Sequence, residues 1–509
     1  MRYNFETMSD ICVASHHESI AALLRDSEFL ALANRVGFLV ELRLDFYFDL
    51  NPASFDRTLD AFAPNLVVTY RHPEEGGKSP GVSDQGRIEY LQRAAHRGVK
   101  YVDIENRTPC PGFQKGDSKV IVSYHDFNPD AKYPSLDLPA HPAGPARFAD
   151  VLKFATYDAA FARKRLLDRA PTDLPEIVIA MGEAGLWTRV LGPLFGAPLT
   201  YARGEAAPGT APGQLTWREL DELYRFRSIK PGWPVFGVIG NPIGHSLSPL
   251  LHNTALRELN RDGVYLPFKV DGDPLQFVRD FEPLGLRGIS ITIPHKEARW
   301  DDLAEVDSLA KNIGAVNTLV WRGKNKWLAT NTDAAAAADS LEAALKNNGQ
   351  TMNGSTVVVL GAGGAARAVA FGVRARGGQI VVLNRTQERA EVLARDLGAR
   401  ACTHADLPAL KIDAIVNTTP LGMYPKVDTS PLEKDQIPQG SIIFDTVYNP
   451  LRTKLLNIAA ERGCKTLEGM SMFIGQGMRQ FEMFTGATAP ESAISTAVIA
   501  ALKKRQAAS

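Results

Sequence analysis

The sequence predicts an α/β protein in two halves, a (β/α)8 barrel followed by a region that contains a dinucleotide-binding sheet. Three observations predict it. Before residue 228, apolar strand-like runs recur at spacings of roughly 20 to 35 residues, with helical segments between many of them. The segment Ser228-Ile-Lys-Pro-Gly-Trp-Pro234 then breaks helical sequence with two prolines and a glycine, the pattern of a domain boundary. Beyond it, Val357 to Leu360 runs directly into Gly361-Ala-Gly-Gly-Ala-Ala366 and helix-forming residues, the strand, tight turn and helix that a pyrophosphate site requires.

The eight strands of the first half are predicted at Ile11–Ser15, Gly37–Leu44, Leu66–Arg71, Tyr101–Glu105, Lys119–His125, Val151–Ala155, Glu176–Met181 and Pro198–Ala202. Such barrels place chemistry at the C-terminal ends of their strands. There the sequence puts Glu41, Arg43, Arg71, His125 and Lys153. A lysine inside the apolar run Val-Leu-Lys-Phe-Ala is buried, and burial disfavours its charged form, making it a usable amine nucleophile. Singly, Lys153 reads as an ion-paired strand residue and His125 as a structural histidine. Together at one barrel mouth they can bind an anion and activate a carbonyl.

In the second half, Gly237-Val-Ile-Gly-Asn-Pro-Ile-Gly-His-Ser-Leu-Ser-Pro249 gives a strand, a glycine turn and a helix start. Ser246 and Ser248 there suit either helix capping or a cleft. Lys296 follows a strand in Gly288-Ile-Ser-Ile-Thr-Ile-Pro-His-Lys296, and Asn317 and Asp333 lie in Gly314-Ala-Val-Asn-Thr318 and Thr330-Asn-Thr-Asp333. In the glycine turn, Gly361, Ala362, Gly363, Gly364 and Ala365 present backbone N–H groups to a pyrophosphate, and Ala366 takes the third fingerprint place. The next strand ends in Asn384-Arg385-Thr386, where an NAD enzyme would have an acid for the ribose 2′-hydroxyl. A guanidinium with two small hydrogen-bonding residues suits a 2′-phosphate, so NADP(H) is the expected cofactor.

The 509 residues exceed one core and imply two to four domains. Lys plus Arg and Asp plus Glu both number 57, which leaves no net field to draw nucleic acid or anionic lipid. Cys12, Cys110, Cys402 and Cys464 are far apart in sequence without a C-x-x-C pair, arguing for a reducing compartment and against a structural zinc. Met1 to Asp10 holds no apolar run, so a cytoplasmic protein with no metal, membrane or nucleic-acid partner is expected.

Ordered along the first half stand Glu41-Leu-Arg43, Arg71-x-x-x-Glu75-Gly-Gly77, Ser123-Tyr-His125, Lys153, Met181-Gly182, Arg189 and Ala211-Pro-Gly-Gln214. This series resembles type I 3-dehydroquinate dehydratase over nearly all of residues 1–228. The resemblance implies that Lys153 forms an imine with 3-dehydroquinate, that His125 moves protons, and that Glu75 orients His125. It implies further that Arg189 binds the substrate carboxylate while Glu41, Arg43, Arg71 and Gln214 hold hydroxyls or neighbouring groups. Thr210 departs from the Ser of many relatives and keeps the hydroxyl.

The second half adds Val416-Asn-Thr-Thr-Pro-Leu-Gly-Met423, Asp445-Thr-Val-Tyr-Asn-Pro450 and Glu468-Gly-Met-Ser-Met-Phe-Ile-Gly-Gln476-Gly. With the motifs above, these resemble shikimate dehydrogenase from about Val235 to the C-terminus. The resemblance implies a Lys296–Asp333 catalytic pair, and Ser246, Ser248, Thr292, Asn317, Tyr448 and Gln476 as substrate-binding residues. It also implies a substrate domain at 234–333 completed by 475–509, and a Rossmann-type NADP-binding domain at 334–474. The expected activity is dehydration of 3-dehydroquinate to 3-dehydroshikimate, a lyase reaction, followed by NADPH-dependent reduction to shikimate in aromatic amino acid and chorismate biosynthesis. The alternative is a quinate/shikimate dehydrogenase with a non-catalytic barrel. The presence of both Lys153 and His125 argues against it, as do the retained hydroxyls of Ser246, Ser248 and Thr292.

Overall fold

The computed structural model describes residues 9–78, 82–128, 142–170, 173–205 and 209–508. The first eight residues, part of the segment read for a leader, lie outside the described residues. The chain divides into two compact units, Met1–Trp233 with Asp262–Val264, and Pro234–Arg261 with Tyr265–Ser509.

The first unit is built on eight strands: β1 (Asp10–Ala14), β2 (Leu39–Arg43), β3 (Leu66–Thr69), β4 (Tyr101–Glu105), β5 (Lys119–His125), β6 (Val151–Thr156), β7 (Glu176–Ala180) and β8 (Leu199–Ala202). Every pairing is parallel, in the order β7-β6-β5-β4-β3-β2-β1-β8. No β7–β8 ladder occurs among the described residues, so the barrel is nearly closed. These strands are buried almost throughout, as expected of parallel strands covered on both faces. Alternate residues share a face, so Leu39, Tyr101, Ile121 and Val151 pack together below Glu41, Asp103, Ser123 and Lys153, which ring the C-terminal end.

The strand ends depart from expectation for local reasons. Gly37 at φ +72° closes the helix Ser27–Val36, which delays β2 to Leu39. Arg71 leaves β3 because its backbone N–H turns to the Asp45 carboxylate instead of continuing the ladder. Residues 106–118, between β4 and β5, contain no helix. Pro109, Pro111, Gly112 and Gly116 interrupt any helical run there.

The second unit begins with a mixed sheet. Its strands are β9 (Val235–Gly240), β10 (Val264–Lys269), β11 (Leu286–Ile291), β12 (Glu305–Val306), β13 (Thr318–Gly323) and β14 (Lys326–Thr330), ordered β10-β9-β11-β13-β14-β12. The helix Ser248–Glu258 and the C-terminal helices Met470–Thr485 and Glu491–Ala508 cover it through Phe236, Leu251, Phe481, Ile494 and Val498. Full burial of each such side chain contributes about 1.5–3 kcal/mol. Gly288 is required here, since a Cβ would lie 2.4 Å from the Phe484 ring.

The helix Asp333–Lys346 leads to a fully parallel sheet of β15 (Thr356–Leu360), β16 (Gln379–Leu383), β17 (Arg400–Cys402), β18 (Ala414–Asn417), β19 (Ile442–Asp445) and β20 (Lys465–Leu467). Its order, β17-β16-β15-β18-β19-β20, reverses direction between β15 and β18. That is the doubly wound arrangement, which binds nucleotides at the switch point. No helix among the described residues is long and apolar enough to cross a membrane.

Candidate active sites

At the barrel mouth, Lys153 Nζ donates to Asp103 Oδ2 at 2.8 Å and lies 4.2 Å from the Tyr201 ring centroid. Asp103 Oδ1 accepts from Ser123 Oγ at 2.5 Å. Arg71 spans the group, donating to Asp103 Oδ2 at 3.2 Å, Glu105 Oε1 at 3.3 Å and Ser123 Oγ at 2.8 Å. His125 is held by Glu75 Oε2, which accepts from both its backbone N–H and its Nδ1 side, each at 3.1 Å. The register explains the convergence: Thr69 pairs Asp103, and two residues further along Glu105 pairs Ser123 and Ser123 pairs Lys153, so polar residues of four adjacent strands fall on two successive levels of the same face.

Burial sets the protonation states. It pushes the Lys153 ammonium below its usual range, although the Asp103 charge opposes this. Burial, joined by the Arg71 and Lys153 charges, holds His125 well below the ordinary imidazole value, so the ring is neutral. Glu75 is raised to about 7, chiefly by burial and against the pull of Arg71. Burial also opposes ionisation of Asp103, but Arg71 and Lys153 together outweigh it and keep the carboxylate charged.

The remaining barrel residues fall around this centre. Glu41 is buried and accepts from Thr69 Oγ1 at 2.9 Å. Arg43 makes a two-pronged contact with Asp45, at 2.9 and 2.8 Å, and lies 4.3 Å from the Phe46 ring centroid. Arg189 is 1% exposed, donates from Nη2 to Pro212 O at 3.1 Å, and has no partner at Nε. Burial lowers its pKa to about 10. Pro212 belongs to the loop in which Gln214 Oε1 accepts from Thr210 N at 2.7 Å while its Nε2 donates to Thr210 Oγ1 at 3.1 Å. Arg189, Thr210 and Gln214 are thus brought together, and no hydrogen bond among the described residues joins them to Lys153 or His125.

In the second unit, Lys296 Nζ donates to Asp333 Oδ2 at 2.5 Å. Lys296 sits on the turn His295–Glu297 after β11, and Asp333 opens the helix after β14. Asn317, 1% exposed, accepts at Oδ1 from Thr332 N at 2.8 Å and Thr318 Oγ1 at 2.7 Å, and donates to Thr332 Oγ1 at 2.9 Å. Ser246 Oγ accepts from Ser248 N at 3.2 Å. The hydroxyl of the half-buried Tyr448 turns to the Leu247 backbone between these serines, and its ring stacks 4.2 Å from that of Phe473. Gln476 donates to Phe473 O at 2.9 Å, which keeps it beside Tyr448. Thr292 N donates to Ile239 O at 3.0 Å, with its methyl against Gly240.

The nucleotide turn adjoins this pair. A Cβ on Gly364 would lie 3.3 Å from Lys296 Cβ. Gly361 takes φ +115°, and a Cβ there would meet Thr418 Oγ1 at 2.6 Å, so the tight turn needs glycine. The helix Gly364–Arg374 has no side-chain cap, which leaves its first backbone N–H groups for an anion. Ala362 is buried and Ala365 half-buried within the turn, while Arg385 and Thr386 are exposed past β16 and Asn384 Nδ2 donates to Thr386 O at 2.9 Å.

Sequence reading gave no role to Asp103, Glu105 or Asp45, the acids that engage Lys153, Arg71 and Arg43. Two acids two residues apart in Tyr-Val-Asp-Ile-Glu, an otherwise apolar strand, were the signal for the first two. Among the described residues, His16, His17 and Asp26 form the group whose atoms approach closely enough for a metal ion. Both ring nitrogens of His17 are already engaged, with Ser15 Oγ at 3.0 Å and Asp26 Oδ2 at 3.1 Å.

Comparisons with known proteins divide the chain at the same place. The type I 3-dehydroquinase family matches residues 11–231, and the shikimate dehydrogenase substrate binding domain matches 238–319. The shikimate 5′-dehydrogenase C-terminal domain matches 469–499, and the coenzyme F420-dependent NADP oxidoreductase family matches 356–449. A bifunctional 3-dehydroquinate dehydratase/shikimate dehydrogenase, chloroplastic, of Arabidopsis thaliana is 37% identical over 476 residues, 89% of this chain and 78% of the relative. An NADP(+) shikimate dehydrogenase of Methanosarcina mazei is 42% identical over 285 residues, 53% of this chain and 99% of its own. A crystal structure of a shikimate dehydrogenase in complex with NADP+ superposes with a TM-score of 0.50 at 35% identity, covering 53% of this chain and 96% of the other.

Proposed function

The chain belongs to the family of bifunctional 3-dehydroquinate dehydratase/shikimate dehydrogenases, and we propose how its own residues perform the two reactions of the shikimate pathway. Residues 1–228 dehydrate 3-dehydroquinate. Residues 234–333, completed by 475–509, bind 3-dehydroshikimate, and residues 334–474 bind NADPH.

In the barrel, the Lys153 amine adds to the substrate ketone and water leaves as the imine forms. The cationic imine draws electron density from the adjacent C–H and acidifies it. Neutral His125, with Nδ1–H directed to Glu75, offers its Nε2 lone pair to that proton. The C–H electron pair expels the β-hydroxyl, to which His125 returns a proton, so a second water departs. Hydrolysis of the imine consumes one water and frees Lys153 and 3-dehydroshikimate. Arg71 keeps Asp103, Glu105 and Ser123 in place, and Glu41, Arg43, Thr210 and Gln214 hold hydroxyls. Arg189 takes the substrate carboxylate, because a buried guanidinium with an unpartnered Nε and no acid beside it among the described residues calls for an anion.

In the second unit, Lys296 protonates the carbonyl oxygen and Asp333 holds its ammonium in position. Ser246, Ser248, Thr292, Asn317, Tyr448 and Gln476 read the substrate's carboxylate and hydroxyls through hydrogen bonds. Gly361, Ala362, Gly363, Gly364 and Ala365 hold the pyrophosphate of NADPH, and Asn384, Arg385 and Thr386 its 2′-phosphate. Bound NADPH supplies the hydride. Four free, buried cysteines fit a reducing compartment such as the cytoplasm.

The observation that supports this reading best is the coexistence of two lysine–carboxylate centres of different design, the buried Lys153 on Asp103 beside a neutral His125, and the half-buried Lys296 on Asp333 beside the nucleotide turn. Borohydride reduction in the presence of 3-dehydroquinate, followed by peptide mass spectrometry, tests the first. An adduct on Lys153 is expected, and labelling elsewhere alone refutes the imine assignment.

A further inference from the structure

Behind the reductase site runs a buried chain of hydrogen bonds that none of the roles above uses. Tyr265 Oη donates to Ser290 Oγ at 2.6 Å, and Ser290 Oγ donates to Gln480 Oε1 at 2.7 Å. Gln480 Nε2 donates to Asn317 O at 3.1 Å and to Thr318 Oγ1 at 3.0 Å, and Thr318 Oγ1 donates to Asn317 Oδ1 at 2.7 Å. At the other end, the Ser248 hydroxyl is within hydrogen-bonding reach of Tyr265. Tyr265, Ser290, Gln480, Thr318 and Asn317 are each 5% exposed or less.

The direction of this chain is fixed by groups that cannot exchange roles. The Asn317 carbonyl only accepts, so Gln480 must present its amide N–H there and its oxygen to Ser290. Ser290 then spends its proton on Gln480 and must accept from Tyr265. The Thr332 backbone N–H only donates, so Asn317 must turn Oδ1 toward it, which leaves one Nδ2 hydrogen for an outside acceptor. The ring of His252 stacks on that of Tyr265 with centroids 4.0 Å apart and planes 3° apart, immobilising the phenol.

We propose that Tyr265 and Ser290 are positioning residues of the reductase: through Gln480 and Thr318 they fix the amide of Asn317, and through Tyr265 they fix the hydroxyl of Ser248. Two substrate-binding side chains from different elements are thereby held as one rigid acceptor and donor array. The inference rests on the reading of Asn317 and Ser248 as substrate-binding residues. Neither Tyr265 nor Ser290 touches the substrate, so their loss acts on substrate recognition and leaves hydride chemistry and nucleotide binding in place.

The test uses the full chain with Tyr265→Phe, Ser290→Ala, the double variant and Asn317→Ala, measuring the reductase KM for 3-dehydroshikimate, kcat, NADPH affinity and melting temperature. Tyr265→Phe and Ser290→Ala are each expected to raise KM about tenfold, the effect of about 1.4 kcal/mol, with kcat within about twofold and NADPH affinity unchanged. Because the two act in series, the double variant is expected to cost no more than the worse single one. An unchanged KM in both single variants, or KM effects that multiply in the double variant, overturns the relay. A KM rise that comes with an equal loss of NADPH affinity also overturns it, as that pattern means general loosening. If Asn317→Ala itself leaves KM unchanged, the substrate-site reading fails. If Asn317→Ala raises KM and Tyr265→Phe does not, only the relay fails.

Discussion

Lys153 Nζ and Asp103 Oδ2 lie 2.8 Å apart across the barrel mouth, and the same carboxylate oxygen also accepts from Arg71 at 3.2 Å. One buried carboxylate thus compensates two buried cations, both 4% exposed or less. Asp103→Asn keeps the shape and removes the charge. It is expected to destabilise the barrel unit by about 3–5 kcal/mol, because it strands Lys153 without its anion and leaves Arg71 with Glu105 alone. Thermal unfolding of the variant checks this, and a melting curve like that of the parent defeats it.

In the proposed mechanism Glu75 governs the acid limb of the dehydratase. Its pKa is raised to about 7, so the carboxyl is neutral below that pH and charged above it. The carboxylate accepts the His125 Nδ1–H more strongly than the neutral carboxyl does, and so better stabilises the ring as its Nε2 takes a proton. Dehydratase kcat/KM is therefore expected to rise between about pH 6 and 8, and Glu75→Gln to flatten that limb. Stability runs the other way. A raised folded-state pKa gives this group a contribution that is complete below its unfolded value and is lost as pH climbs through 7. A pH–rate profile for Glu75→Gln with the parent's limb intact would assign the ionisation elsewhere.

In the proposed mechanism Lys296 and Asp333 act as a unit, so Lys296→Ala and Asp333→Asn are each expected to slow 3-dehydroshikimate reduction by about 10²–10⁴-fold. Their combination is expected to cost little more than either alone. Steady-state reductase rates of the three variants provide the check, and fully multiplicative losses contradict a shared role.

Arg385 is exposed past β16 and free to meet a phosphate. Arg385→Ser is expected to weaken NADPH binding about 10–100-fold, the worth of a charge-assisted hydrogen bond, and to leave NADH binding unchanged. Titration of both nucleotides distinguishes this from damage to the turn at Gly361, which would weaken the two alike.

Much of this architecture is legible in the sequence because parallel strands covered on both faces are short continuous apolar runs, and all eight barrel strands fall on such runs. Gly361 and Lys153 stand out for the same reason: each breaks the pattern around it. Partners are harder to read. Asp103 stands fifty positions from Lys153 and looks like any strand acid until register puts β4 and β6 on either side of β5. The chain from Tyr265 to Asn317 is more hidden, because Gln480 lies 163 positions from Asn317 and has no local signature. The segment at 106–118 is the converse case, where a (β/α)8 barrel ordinarily carries a helix and the prolines and glycines forbid one.

Two lysine centres on one chain are proposed to catalyse consecutive reactions. A coupled assay started with 3-dehydroquinate and NADPH, run on the parent, Lys153→Ala and Lys296→Ala with both intermediates quantified, tests it most directly. The parent is expected to produce shikimate, Lys153→Ala to leave 3-dehydroquinate unreacted while still reducing added 3-dehydroshikimate, and Lys296→Ala to accumulate 3-dehydroshikimate. Dehydration that survives in Lys153→Ala, or reduction that survives in Lys296→Ala, would rule out the two-lysine assignment.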